Sequence, residues 1–530
     1  MTIPWRLLGA TLVAWSTLDA LPIEAQAGRP PVPHPALDPD RAVRPLRGED
    51  VLRRIYDHIL DAQYELADAE LRRGCSPAPA EACDVLAATA LWWRILLDPE
   101  NRELDDEFTA AATHAIDTTE AWVERMPDDA EAWFYLGGAY AARVQWRVLR
   151  DEKLSAARDG RRIKQALERA IELDPNLHDA YFGLGMYKYY ADVAPTAAKV
   201  LRFLLLLPGG DRQEGLADML RARARGRLLQ GEADYQLHLV YLWYERQTHR
   251  ALELLAGLGE RYPGNPLFRA RVAEIQHTYE HDISASLASW RSLLEAARNH
   301  EVNAPAIAEV QARLGIAEHL EALHETEAAI EQLNAIIALN PPAPYGATAL
   351  AWLRLGRAYD RIGARADAMG AYRTAALSAP PGDLNDVRGQ AAERLRRAPD
   401  ARRAEAYRLA LEGWRRFERN EFEGASALLA RSLQMNAADA VARYRYGRVL
   451  VALKQEQAAL AQFDAAIRGA RTCPAPILGM AYLEAARLHE RAGRRMDAIA
   501  TYRTTSTLFG AAAETRAAAS RALARLGRAR

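Results

Sequence analysis

Apolar residues along this chain recur at spacings of three, four and seven rather than at every second position, from about residue 49 to the C-terminus. That rhythm places them on one face of successive helices and predicts no strand. The best-formed stretch runs from Thr348 to Pro380. Trp352, Leu355 and Tyr359 stand at i, i+3 and i+7, so they share one face of a first helix. Gly356 and Ala368 are small where two helices would cross closely, and Tyr372 fills the space beside them. Pro380 stops the second helix, because it lacks an N–H and its ring crowds the preceding turn. An antiparallel pair of this kind cannot bury its apolar face alone and must stack on neighbours.

The same marks return elsewhere. Trp133, Leu136, Gly137 and Tyr140 open a pair whose second helix, ending Ile171-Glu-Leu-Asp-Pro175, arrives late, which predicts an insertion over 145–159. Tyr181, Leu184 and Gly185 open another, running into the apolar stretch Leu201–Leu207 before Pro208-Gly209-Gly210. Ala251 and Ala285, and again Ala425 and Ala459, are separated by the roughly 34-residue period of one two-helix repeat. Tyr482, Ala498 and Tyr502 mark a last pair, and the Ala- and Arg-rich segment 511–528 reads as a capping helix.

Together these residues resemble the tetratricopeptide repeat (TPR) superfamily, whose pattern is W-x2-L-G-x2-Y, then A-x3-F, then P, with Tyr372 in place of Phe. The resemblance covers nearly the whole of 49–528. It implies an all-α, TPR-type right-handed α-solenoid of about nine to eleven helix pairs with a C-terminal capping helix. First helices would line a concave groove that takes up protein or peptide partners, and the implied role is a scaffold or adaptor rather than an enzyme. The block Tyr181–Arg221 is similar to one in exported bacterial TPR proteins of unassigned role. It is also similar to part of a eukaryotic TPR family tied to inclusion clearance at the mitochondrial outer membrane, from which no function is carried over.

Ahead of the helices, Arg6 and the apolar run Leu7–Leu18 read as a secretory signal, with Ala25-Gln26-Ala27 as its cleavage site. The expected organisation is a signal peptide over 1–27 and a Pro-rich linker over 28–48. Irregular helix pairs follow over 49–230, then a regular array with its cap over 231–530. Asp19 and Pro22 interrupt the run too early for a membrane span, and no other segment reaches that length. The mature chain is therefore expected to have no integral membrane span, and to be periplasmic or secreted. Retention of the N-terminus as an anchor would instead make the protein an envelope-tethered assembly factor.

A formal net charge of −1 argues against a general pull toward nucleic acid or an anionic membrane. The nine Arg from Arg491 onward, against Asp497 and Glu514, read as a solvated cap. Cys75 and Cys83 bracket a short Ser-Pro-Ala-Pro loop and are spaced for a disulfide worth about 2–3 kcal/mol in an oxidising compartment. Cys473 stands alone.

Extending the phase of Trp352 to Trp133, Tyr181 and Tyr235 gives the groove-facing positions. In the N-terminal half they are Phe134, Phe182, Tyr189, Tyr190, Trp243 and Tyr244. In the C-terminal half they are Arg357, Asp360, Tyr444 and Arg448. Aromatics and Arg carry most of the energy in partner interfaces. The structural set comprises Trp133, Gly137, Trp352, Gly356, Tyr359, Ala368 and Pro380. One rival motif is His277-Thr-Tyr-Glu280-His281, which matches H-x-x-E-H and would suit a zinc-dependent hydrolase if both imidazoles shared a helix face. By repeat phase it falls at a turn. No metal site is expected there or at the two cysteines, which lack further ligands nearby, and with no phosphate-binding Gly loop and no G-x-S-x-G elbow nothing suggests a cofactor.

Overall fold

The computed structural model describes residues 45–193 and 209–528. The expected signal peptide, nearly all of the Pro-rich linker and the Leu201–Leu207 run lie outside them. Among the described residues there are 24 α-helices, one short 3-10 turn at Ala470–Thr472 and no strand. No described helix is long and apolar enough to cross a membrane.

The pair read first from the sequence shows how the others work. Its helices are Ala347–Ile362 and Arg365–Ser378. A Cβ on Gly356 would lie 2.6 Å from the Tyr372 ring, so only glycine lets the second helix approach this closely. Tyr372 is fully buried, and its hydroxyl donates to Asp360 (2.9 Å), which also accepts from Arg365 (2.8 Å). Glycine meets an apolar side chain of the partner helix in the same way at Gly137 with Leu167, Gly413 with Leu429, and Gly447 with Phe463. Trp352 is only half-buried and packs on the margin of the cluster formed by Leu353, Ala368 and Tyr372. Tyr359 sits beside it, and Pro380 follows the end of the second helix.

Helix ends follow from local chemistry. Asp439 accepts from the N–H groups of Val441 and Ala442 (3.1 and 3.0 Å), Asp282 from Ala285 (2.9 Å) and Asp400 from Arg403 (2.9 Å). Gly363 closes Ala347–Ile362 at φ 82°, where a Cβ would be strained.

The delay after Gly137 is not a loop. The two helices, Ala130–Leu149 and Lys153–Leu173, are 20 and 21 residues long, against 14 for Arg365–Ser378. The extra turns carry an ion network in which Arg143 grips Asp159 with both ends of its fork (2.9 Å each) and Arg147 adds a third bond (2.6 Å).

The chain forms two units. One holds the described residues through Phe268 together with Val302–Ala304, and the other holds Arg269–Glu301 and Pro305 onward. In the first unit, the first helix among the described residues, Glu49–Leu60, packs against residues up to Asn265. Within the first unit, Tyr56 and Trp93 both donate to Glu232 (2.9 and 3.1 Å), Tyr262 donates to Asp57 (3.0 Å), and Asn265 donates to the Leu60 carbonyl (2.7 Å). Helix Glu49–Leu60 buries Leu52, Ile55 and Ile59 completely in the process.

In the second unit, the first helices of successive pairs touch in order: Pro305–Ala322, Ala347–Ile362, Ala401–Glu418, Ala440–Ala452 and Ala475–Arg491. This unit also returns on itself. The turn after Pro305–Ala322 reaches two later first helices, with Thr326 bonded to Tyr407 (2.7 Å) and the His324 carbonyl accepting from Arg445 (3.0 Å). His281 lies against Phe509 (5.4 Å between rings). The last helix, Ala513–Arg528, covers the final pair through Ala519 and Ala522.

Candidate partner-binding surfaces

In the first unit, helix Ala180–Val193 brings Tyr189 and Tyr190 to Tyr244, at the end of helix Gln230–Trp243. The three rings meet edge to face at 5.7–5.8 Å, the arrangement their quadrupoles favour. The Tyr189 hydroxyl donates to Glu245 (2.6 Å), whose carboxylate is also gripped by Arg212 (2.8 and 2.9 Å). Burial, then the Glu245 contact, raises the Tyr189 pKa. Burial also raises Tyr190, and pushes Tyr244 up to about 12. All three hydroxyls therefore stay protonated.

Three of the six aromatics read as groove-facing present little surface. Phe134, Phe182 and Tyr189 are buried. Phe134 meets Tyr135 edge to face (5.0 Å), and Tyr135 in turn stacks on Trp122. The physical reason is that helices of the first unit are covered on more than one face, as the wholly enclosed stretch from Gly231 to Leu242 shows most clearly. Tyr190, Trp243 and Tyr244 remain part-exposed. Trp133 is also part-exposed, with its indole N–H donating to the Pro127 carbonyl (2.8 Å). Cys75 and Cys83 are disulfide-bonded, with Cα atoms 5.7 Å apart.

The second unit presents arginines instead. Arg354, Arg357 and Arg361 stand at i, i+3 and i+7 on helix Ala347–Ile362. Arg354 pairs with Glu318 (2.8 Å) and Arg361 with Glu321 (3.3 Å), each on the preceding first helix. Arg357 turns the other way and donates to Gln390 on the short helix Val387–Arg396. Its pKa is lowered, first by burial and then by the charges of Arg394 and Arg354. Further along, Arg448 donates to the Tyr444 hydroxyl (3.0 Å) and lies over the Phe417 ring (5.8 Å). Arg445, missed in the sequence, is 5% exposed. It bonds the His324 carbonyl and lies over Trp414 (5.4 Å), without an ion pair among the described residues. Helix Val387–Arg396 was equally silent, because ten residues with only two buried carry almost no periodic signal.

The H-x-x-E-H segment does not form a metal-binding helix face. His277 occupies the last turn of helix Pro266–Thr278, whereas His281 lies beyond its end at φ 51°. Their rings go to different neighbours: His277 to His319 (4.6 Å) and His281 to Phe509. Among the described residues, no group of three or more His, Cys, Asp or Glu is placed to hold a metal ion. The Ser286 hydroxyl donates to the Ala273 carbonyl (2.6 Å), which leaves its oxygen to accept from His319 Nε2–H (2.7 Å). Burial drives the His319 pKa down to about 4 and also lowers His277.

Neither a family model nor a curated protein matches the chain. Among solved structures, the chain is similar to a tetratricopeptide repeat protein from Parabacteroides merdae, at 15% identity and a TM-score of 0.26, covering 56% of this chain and 98% of that one. It is similar to the P58(IPK) TPR domain at 13% identity and a TM-score of 0.23, covering 84% of this chain and 98% of that one. It is also similar to the TPR2AB domain of yeast Sti1, solved in complex with pHSP90, at 15% identity and a TM-score of 0.20, covering 56% and 96% respectively. On its own geometry, with close glycine crossings within pairs and contact between successive first helices in the second unit, the described chain is built of stacked antiparallel helix pairs.

Proposed function

We propose that the protein is a scaffold or adaptor that binds protein or peptide partners, without catalysis of its own and without a cofactor. The observation that carries this reading is the pairing of a rigid repeat frame with part-exposed side chains of the hot-spot type on its first helices: Tyr190, Trp243 and Tyr244 in the first unit, Arg357 and Arg448 in the second. A partner's apolar groups would cover the rings, and the arginines would fix its orientation.

We further propose that the chain is exported to the bacterial periplasm or beyond, through removal of residues 1–27. The Leu7–Leu18 run, the Ala25-Gln26-Ala27 site and the Cys75–Cys83 disulfide support this, since disulfides persist in oxidising compartments.

The test is capture from an envelope fraction by the immobilised protein, with mass spectrometry of what is retained. The expected result is a small set of polypeptides held by the native sequence and lost with Trp243→Ala or Arg448→Gln. Retention of the same set by both variants would overturn the assignment of these surfaces, and capture of nothing would overturn the scaffold reading. A mature N-terminus at Gly28 is expected on the protein isolated from its source.

A further inference from the structure

Three carboxylates on and beside helix Ala347–Ile362 are already engaged. Glu318 is taken by Arg354, Glu321 by Arg361, and Asp360 by Arg365 and Tyr372. Two guanidinium groups are left over. Arg357 makes no ion pair among the described residues; one end donates to the Gln390 side chain, and its Nε is buried with no hydrogen-bond partner. Arg394 lies four residues after Gln390, hence on the same face of Val387–Arg396 and one turn along. Its guanidinium also makes no ion pair or hydrogen bond among the described residues. Glu393, its neighbour in sequence, is exposed and about 100° round the helix.

This arrangement costs stability. Two like charges sit within reach of one another, one of them with a buried donor that bonds to nothing. Gln390 does not neutralise Arg357 but holds it in place, since its own amide donates to the Asn385 carbonyl (2.5 Å) and leaves its oxygen toward the guanidinium. Both arginines are part-exposed, so a solute can reach them. Planar forks held this way match the oxygens of an oxyanion.

We propose that Arg357 and Arg394 form a receiving site for an oxyanion, a carboxylate or phosphate group, with Gln390 as the positioning residue. The site does not depend on the scaffold reading: it binds its anion whether or not a polypeptide carries it.

The test uses the full chain at low salt with two probes, inorganic phosphate by calorimetry and a fluorescein-labelled hexaglutamate peptide by anisotropy. The native protein is expected to bind at least one probe. Arg357→Gln and Arg394→Gln should each weaken that binding at least tenfold, while Arg373→Gln, on the exposed face of helix Arg365–Ser378, leaves it unchanged. Binding of the peptide alone assigns the anion to a polypeptide, and binding of phosphate identifies a free small anion as sufficient; either supports the site. Because the substitutions relieve like-charge crowding, both variants should melt no lower than the native protein. The proposal is overturned if neither probe binds, if all three variants weaken binding equally, or if Arg357→Gln and Arg394→Gln both melt several degrees lower.

Discussion

The two units close on themselves with opposite chemistry. The first draws its ends together around a carboxylate: Glu232 is buried, and neutral donors from Tyr56, Trp93 and Gln236 hold it (2.9, 3.1 and 3.2 Å). Burial raises its pKa above the ordinary carboxylate range despite those bonds. The second closes around imidazoles and guanidiniums. His319 and His324 are each pushed down to about 4, chiefly by burial, and Arg445 sits buried against a carbonyl. A shared repeat architecture thus sets how helices pair, while the groups trapped where an array meets itself differ and decide how each unit answers to pH. His178 in the first unit is also lowered, by burial and by Arg221, so the contrast is one of degree.

The largest effect should come from breaking the first closure. Trp93 is fully buried, meets Tyr235 at 4.9 Å and bonds Glu232. Trp93→Ala should cost about 4–5 kcal/mol, by cavity formation and by removing one of the donors that hold a buried carboxylate. Denaturant unfolding followed by hydrogen exchange should show the loss in helix Glu49–Leu60 and in 230–265 before it appears beyond residue 305.

Acid should then separate the units. Because His319 titrates near 4 in the native protein but near 6.5 when unfolded, the unfolded chain binds more protons between those values. The second unit therefore loses stability as pH falls from about 6.5 to about 4, by about 3 kcal/mol from His319 alone. Glu232 acts in the opposite sense: its raised pKa gives stability at low pH that is lost as pH rises through the native value. Melting at pH 7 and pH 5 should show the second unit weakened more, and His319→Phe should flatten that difference.

Smaller changes sharpen the picture. Trp352 is half-buried, so Trp352→Ala should cost about 2 kcal/mol rather than the larger amount expected of an enclosed ring. Trp243→Ala, at a part-exposed helix end, should change stability by less than about 1 kcal/mol while weakening partner capture. A larger loss at Trp243 would make it a packing residue like Phe134.

Pair geometry was legible wherever small and large residues recur in phase. Gly356 against Tyr372 could be read from spacing alone, because a close helix crossing leaves few alternatives. Closure could not be read. Nothing in the local pattern of Tyr56 or Tyr407 says that their partners are Glu232 and Thr326, since those contacts depend on how far each array curls. The same limit applies to the aromatic surface: phase marks Tyr189, Tyr190 and Tyr244 alike as groove-facing, but whether a ring ends inside or outside depends on what later packs over it, and Tyr189 is buried while Tyr190 and Tyr244 are part-exposed. Charge told still less, as a row of arginines looks identical whether its members are paired, like Arg354, or left open, like Arg357.

The most direct measurement is a hydrogen-exchange footprint of the protein with and without a captured partner. The account predicts new protection on the first helices and their flanks, above all at Trp243 and Tyr244, at Arg357 and at Arg448. Protection confined to second helices such as Thr326–Leu339 and Arg365–Ser378, with those first-helix positions unchanged, would contradict it.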